Sequence, residues 1–117
     1  MDKKELEERT KKFALRIIKL VSALPKDKTC DVIGYQLVKS GTSVGANYRE
    51  ATRAESKADF IHKIGIVEKE AGETLYWLEL LIDAGIVQKE KLSGLWDECE
   101  QLLAIFTATG RSAKRNK

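Results

Sequence analysis

Proline is almost absent from this chain of 117 residues, where Pro25 is the only one. A proline inside a helix removes a hydrogen bond and collides with the preceding turn, so few positions here force a helix to end. Long apolar runs are also missing, and no stretch approaches the ~20 residues that a membrane-spanning helix needs. The first residues, MDKKELEERTKK, lack the apolar core of a secretory signal. We therefore expect a cytoplasmic protein of one domain that does not associate with membranes.

Cysteine and histidine are equally scarce, which removes most enzyme chemistries. Cys30 and Cys99 have no metal-type spacing, and we expect both to be reduced thiols that serve as small apolar residues. His62, the one histidine, follows Asp59 by three residues and so forms one acid-x-x-His motif, whereas a di-iron bundle needs two such motifs and two further glutamates. We predict no enzyme activity, no catalytic residue, no metal, no cofactor and no small-molecule substrate. His62 is then a partly exposed residue on a charged edge.

Apolar residues recur at three- and four-residue spacing, which is typical of amphipathic helices. Pro25 should end the first helix, Ser56 with Asp59 should cap the third, and Gly85 should end it. The predicted helices are residues 3–24, 31–53, 56–84 and from about 90 to just before Gly110. Four helices with short connections predict an all-α fold, an antiparallel up-down four-helix bundle. One domain covers residues 1–110, and 111–117 form a basic frayed tail.

The stretch GTSVGANYRE, residues 41–50, lies within the second predicted helix although it contains two glycines. A phosphate-binding loop would need Gly-x4-Gly-Lys-Ser/Thr after a strand, and neither the lysine nor the strand is present. Each glycine costs a helix about 1 kcal/mol relative to alanine. Gly34, Gly41 and Gly45, along one side of the helix, therefore indicate the close approach of a neighbouring helix. We expect its matching groove at Gly65 and Gly72 of the third helix.

Polar residues accompany these glycines. We interpret Ser43, Asn47 and Glu50 as a polar seam that joins the second helix to a facing helix, with Ser40 also buried or half-buried there. Glu50 and acids of the third helix, such as Glu73, are the partners that we expect for the hydroxyl and amide groups.

The third predicted helix has more apolar surface than one stripe requires. The core of a lone bundle needs one such stripe on each helix, and surplus apolar surface is typical of an interface. We predict a homo-oligomer interface that includes Ile61, Ile66, Tyr76, Trp77 and Leu80. The alternative is a wide core face with a few exposed side chains.

Charge is unevenly distributed around a net charge of +3. Residues 1–57 have a net charge of +5, residues 58–110 of −6, and the last seven residues of +4. The basic residues of the first two helices could neutralise backbone phosphates of RNA or DNA: Lys3, Lys4, Arg9, Lys11, Lys12, Arg16, Lys19, Arg49 and Arg53. The alternative is a solvated, salt-bridged face, since Glu5–Arg9, Glu7–Lys11 and Glu8–Lys12 have the favoured i,i+4 order.

Residues 42–82, TSVGANYREATRAESKADFIHKIGIVEKEAGETLYWLELLI, resemble the bacterial four-helix-bundle family named for the 23S rRNA intervening sequence. The resemblance includes a Ser-x-x-x-Asn-x-x-Glu core, a Ser-x-x-Asp-Phe entry to the third helix and a Glu-Thr pair before a Tyr-Trp-Leu run. The matching residues are Ser43, Asn47, Glu50, Ser56, Asp59, Phe60, Glu73, Thr74, Tyr76, Trp77 and Leu78.

This resemblance implies a bundle that assembles into a ring-shaped homo-oligomer, commonly a pentamer. The family name records where some of its genes lie and describes no activity, and no catalytic residue transfers from the motif. A related branch accompanies retroelement reverse transcriptases and contacts nucleic acid through basic surface. The resemblance therefore favours a non-enzymatic protein that binds RNA or DNA, or that scaffolds a nucleic-acid enzyme. The alternative function is a purely structural or protein-interaction oligomer.

Overall fold

The computed structural model describes residues 1–116, which form four α-helices and no strand. The helices are α1 (Lys3–Ser22), α2 (Lys28–Ala51), α3 (Lys57–Asp83) and α4 (Lys89–Arg115). Each helix packs against the next one along the chain, and the contact between α1 and α4, the least extensive, closes the bundle. The bundle measures 48 × 22 × 20 Å. The predicted all-α four-helix bundle is confirmed.

The start of α3 follows the predicted cap closely. The Ser56 hydroxyl accepts a hydrogen bond from the Asp59 backbone N–H at 3.1 Å, which satisfies one of the free donors of the first turn. The Asp59 carboxylate accepts from the Glu55 N–H at 3.3 Å, one residue earlier than a standard capping box would place it. Asp59 also pairs with Lys63 at 3.1 Å. These contacts fix the direction in which the chain enters the bundle.

Gly85 ends α3 as predicted. Its φ of +72° is in the left-handed region, which costs glycine nothing and other residues more. The Ile86 N–H donates to the Leu81 carbonyl at 3.0 Å, and the Gly85 N–H donates to the Ile82 carbonyl at 3.0 Å. This pair of bonds is a Schellman motif, and it reverses the chain toward α4.

The predicted end of α4 before Gly110 is wrong, because the helix continues to Arg115. Gly110 is buried, and a Cβ at that position would lie 3.5 Å from Ile64 Cγ2 on α3. Gly110 thus packs between two helices rather than capping one. Most of the residues predicted as a frayed tail belong to α4, and Lys117 lies outside the described residues.

The core runs along the bundle axis and draws on all four helices. Its largest fully buried side chains are Phe13, Ile17, Leu37, Ile64, Leu78, Leu81, Leu102 and Phe106. The rings of Tyr48 and Phe106 meet with centroids 5.4 Å apart, which links α2 to α4 across the bundle. Val32 belongs to the apolar period of α2 but is 55% exposed.

The glycines of α2 let a neighbouring helix approach closely, as predicted, but the neighbour is α1. A Cβ at Gly34 would lie 2.9 Å from Val21 Cγ1, and one at Gly45 would lie 3.0 Å from Thr10 Oγ1. The expected groove on α3 is not found, because a Cβ at Gly65 would meet no atom of the described residues within 4 Å. The same holds for Gly72. The close contact therefore fixes α1 against α2 and leaves the α3 glycines facing open space.

Candidate nucleic-acid interface

The nine basic residues predicted to contact nucleic acid lie on α1 and around the end of α2. Eight of them are exposed: Lys3, Lys4, Lys11, Lys12, Arg16, Lys19, Arg49 and Arg53. The ninth, Arg9, is half-buried. An exposed cation can reach a phosphate without first being desolvated, so the eight form the candidate surface.

Arg9 is engaged within the bundle. Its Nε donates to Glu98 Oε2 at 2.7 Å and its Nη2 donates to Glu98 Oε1 at 2.7 Å, a bidentate pair. Nη2 also donates to Gln101 Oε1 at 2.9 Å. The hydrogen bonds that the Arg9 guanidinium donates to Glu98 raise the pKa of Arg9 above its ordinary value. Arg9 therefore links α1 to α4. Because its guanidinium is already paired, we no longer count it among the residues that could bind a polyanion.

None of the three acid–base pairs predicted along α1 forms an ion pair. The described chain contains two ion pairs, Arg9–Glu98 and Lys63–Asp59. Glu7 Oε2 lies 3.4 Å from the Thr52 hydroxyl, which donates its shorter hydrogen bond, of 2.8 Å, to the Arg49 carbonyl. Lys11 and Lys12 thus carry charges that no carboxylate of residues 1–116 neutralises by direct contact. A salt-bridged face, the alternative interpretation of these residues, is not what the structure contains.

Helical periodicity places five of the six exposed basic residues of α1 in two rows. Lys4 and Lys11, seven residues apart, are two turns from each other on one side, and Lys11 borders a groove against α2. A second row, on the side toward α4, contains Lys12, Arg16 and Lys19. Arg16 Nη2 is 3.2 Å from the position that a Cβ would take at Gly94 of α4. The basic charge of α1 is thus presented on both flanks of the helix.

The predicted polar seam is arranged differently. Ser43 donates to the Lys39 carbonyl at 2.6 Å, and Asn47 Nδ2 donates to the Ser43 carbonyl at 2.8 Å, so both bonds stay within α2. Glu50 is exposed, and none of its side-chain atoms bonds to another described residue. In a helix a side chain can reach the carbonyl one turn back more easily than a group on a neighbouring helix.

The polar link between α2 and α3 is made by Ser40 and Thr74. Their hydroxyl oxygens lie 2.9 Å apart, and Thr74 Oγ1 is also 2.8 Å from the Glu70 carbonyl. Ser40 is 2% exposed and Thr74 is fully buried. Thr74 belongs to the Glu-Thr pair of the family pattern, so its position in that pattern was the available signal for this link.

The five residues predicted to form an oligomer interface all lie on α3 without being buried. Tyr76 is 52% exposed, and the other four, Ile61, Ile66, Trp77 and Leu80, are half-buried. The rings of Tyr76 and Trp77 meet edge to face with centroids 5.1 Å apart. The two rings therefore form an apolar surface on the outside of the bundle.

A second exposed apolar surface was not predicted from the sequence. Its side chains are Leu15 and Ile18, three residues apart on α1, and a further exposed apolar side chain, Tyr35, which is 66% exposed, lies on α2. Leu15 and Ile18 fall outside the apolar stripe of α1 that contains Phe13 and Ile17. Their position off this stripe is the sequence feature that could have predicted their exposure.

Asp59 and His62 do not form a ligand pair. The Asp59 carboxylate is held by Lys63 and by the Glu55 N–H, and these two hydrogen bonds, Lys63 first, lower the pKa of Asp59. His62 is exposed. Across residues 1–116, no three His, Cys, Asp or Glu side chains are grouped closely enough to hold a metal ion.

The two cysteines are free and buried. Burial raises the pKa of the Cys99 thiol to about 12, and its Sγ lies 3.4 Å from the Ala71 carbonyl. Burial also raises the pKa of Cys30, with a further contribution from Asp27. A nucleophilic thiol needs a lowered pKa, so both residues act as packing groups in this fold.

None of the described helices is long and apolar enough to cross a membrane.

Comparison with known proteins adds two similarities. Residues 3–108 match the family model described as 23S rRNA-intervening sequence protein. The chain is also similar to a protein of unknown function from the S23 ribosomal protein family of Bacteroides thetaiotaomicron VPI-5482, with a TM-score of 0.87 and 36% identity over 95% of this chain and 99% of that one. No curated protein matches the chain.

Proposed function

Since the chain belongs to the 23S rRNA-intervening sequence protein family, as its sequence pattern predicted, we propose that it is a non-enzymatic homo-oligomer that binds RNA or DNA through the basic surface of α1 and the end of α2. One observation carries the proposal: eight exposed cations lie there, and none forms an ion pair with a described carboxylate. Lysine and arginine that neutralise phosphates release condensed counterions, which is the main source of sequence-independent affinity.

The placement of the acids supports the same proposal. Residues 58–110, which form α3 and most of α4, have a net charge of −6, while residues 1–57 have +5. A polyanion would be attracted to the α1–α2 side and repelled from the other. The molecule therefore has a polarity that would orient nucleic acid on it.

Self-association is proposed from the apolar residues that one chain leaves exposed. A ring requires two different surfaces on each copy, since a heterologous contact must repeat until it closes. Tyr76 and its neighbours on α3 offer one such surface, and the exposed Leu15 and Ile18 on α1 offer another. A pentamer is the ring size that we propose, following the family resemblance.

We propose no enzymatic role, because the side chains that could act in catalysis are either paired with other residues or buried in the core. Asp59 is held by Lys63, and the Cys99 thiol is buried against α3 with its pKa raised to about 12.

Fluorescence anisotropy with labelled single-stranded RNA and DNA tests the nucleic-acid proposal. Binding should weaken steeply as salt rises, with a slope that reports several phosphate contacts. An absence of binding even at about 20 mM salt, where Debye screening is weak, would leave the protein-interaction oligomer as the better account.

Sedimentation velocity tests the assembly separately. Tyr76→Glu should shift the protein from an oligomer toward the monomer, because a charge would be buried at the contact. Ala104→Glu, at an exposed position on α4, is the control and should keep the wild-type mass. A monomeric wild-type protein at micromolar concentration would overturn the oligomer part of the proposal.

A further inference from the structure

A groove runs between the middle of α1 and the second half of α2. It has a volume of about 360 Å³ and is lined by Thr10, Lys11, Ala14, Thr42, Gly45, Ala46 and Arg49. The lining thus contains two cations, two hydroxyls, three small residues and no carboxylate. Two like charges that border one groove repel each other, and an anion between them would relieve that repulsion.

The groove is deep because α1 and α2 approach each other closely at Gly45. A Cβ at Gly45 would lie 3.0 Å from Thr10 Oγ1 and 3.2 Å from Thr10 Cβ, so the two backbones approach closely there. Ala46 is exposed and Ala14 is half-buried, and neither projects more than a methyl group. A chain of phosphates and sugars could therefore lie deep enough to pass between Lys11 and Arg49.

The hydroxyls in the groove are already committed as donors. Thr10 Oγ1 donates toward the Leu6 carbonyl at 2.9 Å, and Thr42 Oγ1 donates to the Val38 carbonyl at 2.6 Å. The backbone N–H groups of residues 41–50 are likewise inside α2. An anion in the groove would be held by the two cationic side chains alone, which predicts strong salt dependence and little base selectivity.

The positive charge extends beyond the groove on both helices. Lys4 lies two turns before Lys11 on the same side of α1, and Arg53 follows Arg49 by four residues, past the end of α2. Glu8 and Glu7, three and four residues before Lys11, are the nearest acids along α1, and neither of them lines the groove. The groove thus lies at the centre of a basic strip that continues along both helices.

We propose that the α1–α2 groove is a phosphate-backbone site, in which Lys11 and Arg49 clamp one strand of RNA or DNA above Gly45 and Ala46. This inference rests on the proposed nucleic-acid function and makes it specific to one flank of α1. The second row, Lys12, Arg16 and Lys19, would then contribute only diffuse charge.

Charge-matched double variants of the full chain test the site, with a labelled single-stranded RNA and a DNA of equal length as probes. Lys11→Gln with Arg49→Gln should weaken binding about 25-fold at ~0.1 M salt and reduce the salt slope by about 1.4, since each phosphate contact to a single strand contributes about 0.7. Lys12→Gln with Lys19→Gln removes the same charge from the other flank. This control should weaken binding about threefold or less, because it acts through screened charge only.

A third variant, Ala46→Leu, fills the groove without changing any charge and should also weaken binding. Diffuse attraction to a positive surface would not respond to this substitution. Circular dichroism and sedimentation check that each variant keeps its fold and mass.

If the wild-type protein binds, but both double variants lose the same affinity and Ala46→Leu loses none, the groove is wrong and the proposed function stands. If the wild-type protein does not bind at all, the proposed function fails and the groove fails with it.

Discussion

Gly41 of α2 lies directly against Ile17 of α1, so that a Cβ at Gly41 would be 2.9 Å from Ile17 Cγ1 and 3.2 Å from its Cβ. Ile17 is fully buried and β-branched, and one χ1 rotamer dominates for such a residue in a helix. The side chain therefore cannot turn away from an added methyl group. This contact sets the distance between α1 and α2, and with it the floor of the proposed phosphate groove.

Gly41→Ala should destabilise the protein by up to about 2 kcal/mol, because overpacking costs ~1–3 kcal/mol and improved helix propensity returns only ~1 kcal/mol. Urea unfolding at a fixed protein concentration measures this change. Gly65→Ala is the matched control, since it adds the same methyl group where the described chain leaves open space. It should stabilise the protein by up to about 1 kcal/mol. Equal effects of the two substitutions would contradict the close-contact interpretation.

Arg9→Lys should lower the free energy of unfolding by roughly 1 kcal/mol, although it keeps the charge, because it weakens the contact between α1 and α4. Lysine cannot reproduce the two parallel bonds to Glu98, since its ammonium is a point charge, and the partly exposed pair is weakened by solvent screening. A double-mutant cycle with Glu98→Gln isolates the pair. Lys12→Arg, at an exposed position in the same helix, should change nothing. A coupling energy of zero would show that Arg9 belongs with the free cations after all.

Thr74→Val should cost about 1–2 kcal/mol, because it leaves the buried Ser40 hydroxyl with only a distant partner, the Leu37 carbonyl at 3.5 Å. Adding Ser40→Ala to that variant should recover most of the loss, since both polar groups are then gone. Thermal unfolding of the two single variants and the double variant measures the coupling. If the two single losses simply add, the hydroxyls do not support each other.

Glu70→Gln should stabilise the protein near neutral pH. Burial, and then repulsion from Glu73, raise the pKa of Glu70 above its ordinary value, so the folded state disfavours the charged carboxylate. That penalty is fully present above the folded-state pKa and disappears as pH falls below the unfolded value of about 4.3. The advantage of the variant in urea unfolding should therefore shrink between about pH 7.5 and about pH 4. Glu50→Gln, at an exposed position, should give no advantage at either pH.

The sequence was sufficient for the helices, because their signals are local. Ser56 with Asp59, and Gly85 with its positive φ, each act within one turn of the chain. Gly110 has the same identity as Gly85 but packs against Ile64, and only the tertiary contact distinguishes the two. This is why the predicted end of α4 differs from the observed one by nearly two turns.

Partners across helices were harder to predict, because spacing shows which side of a helix a residue occupies and not which helix faces it. The glycine side of α2 was predicted correctly, while its partner is Ile17 of α1 and not the glycines of α3. Likewise, i,i+4 spacing paired Arg9 with a neighbour in α1, whereas its guanidinium reaches Glu98, 89 residues further along the chain. A long side chain with a bidentate partner on another helix gains more than an exposed pair one turn away.

The salt dependence of nucleic-acid binding by the wild-type oligomer tests the central claim most directly. Anisotropy titrations with a single-stranded RNA between about 50 and 200 mM salt should give a straight line of log affinity against log salt, with a slope near −3 to −5 for about four to seven phosphate contacts. A slope near zero, or no binding at the lowest salt, would contradict the account and show that the exposed lysines and arginines of α1 and α2 are solvated surface only.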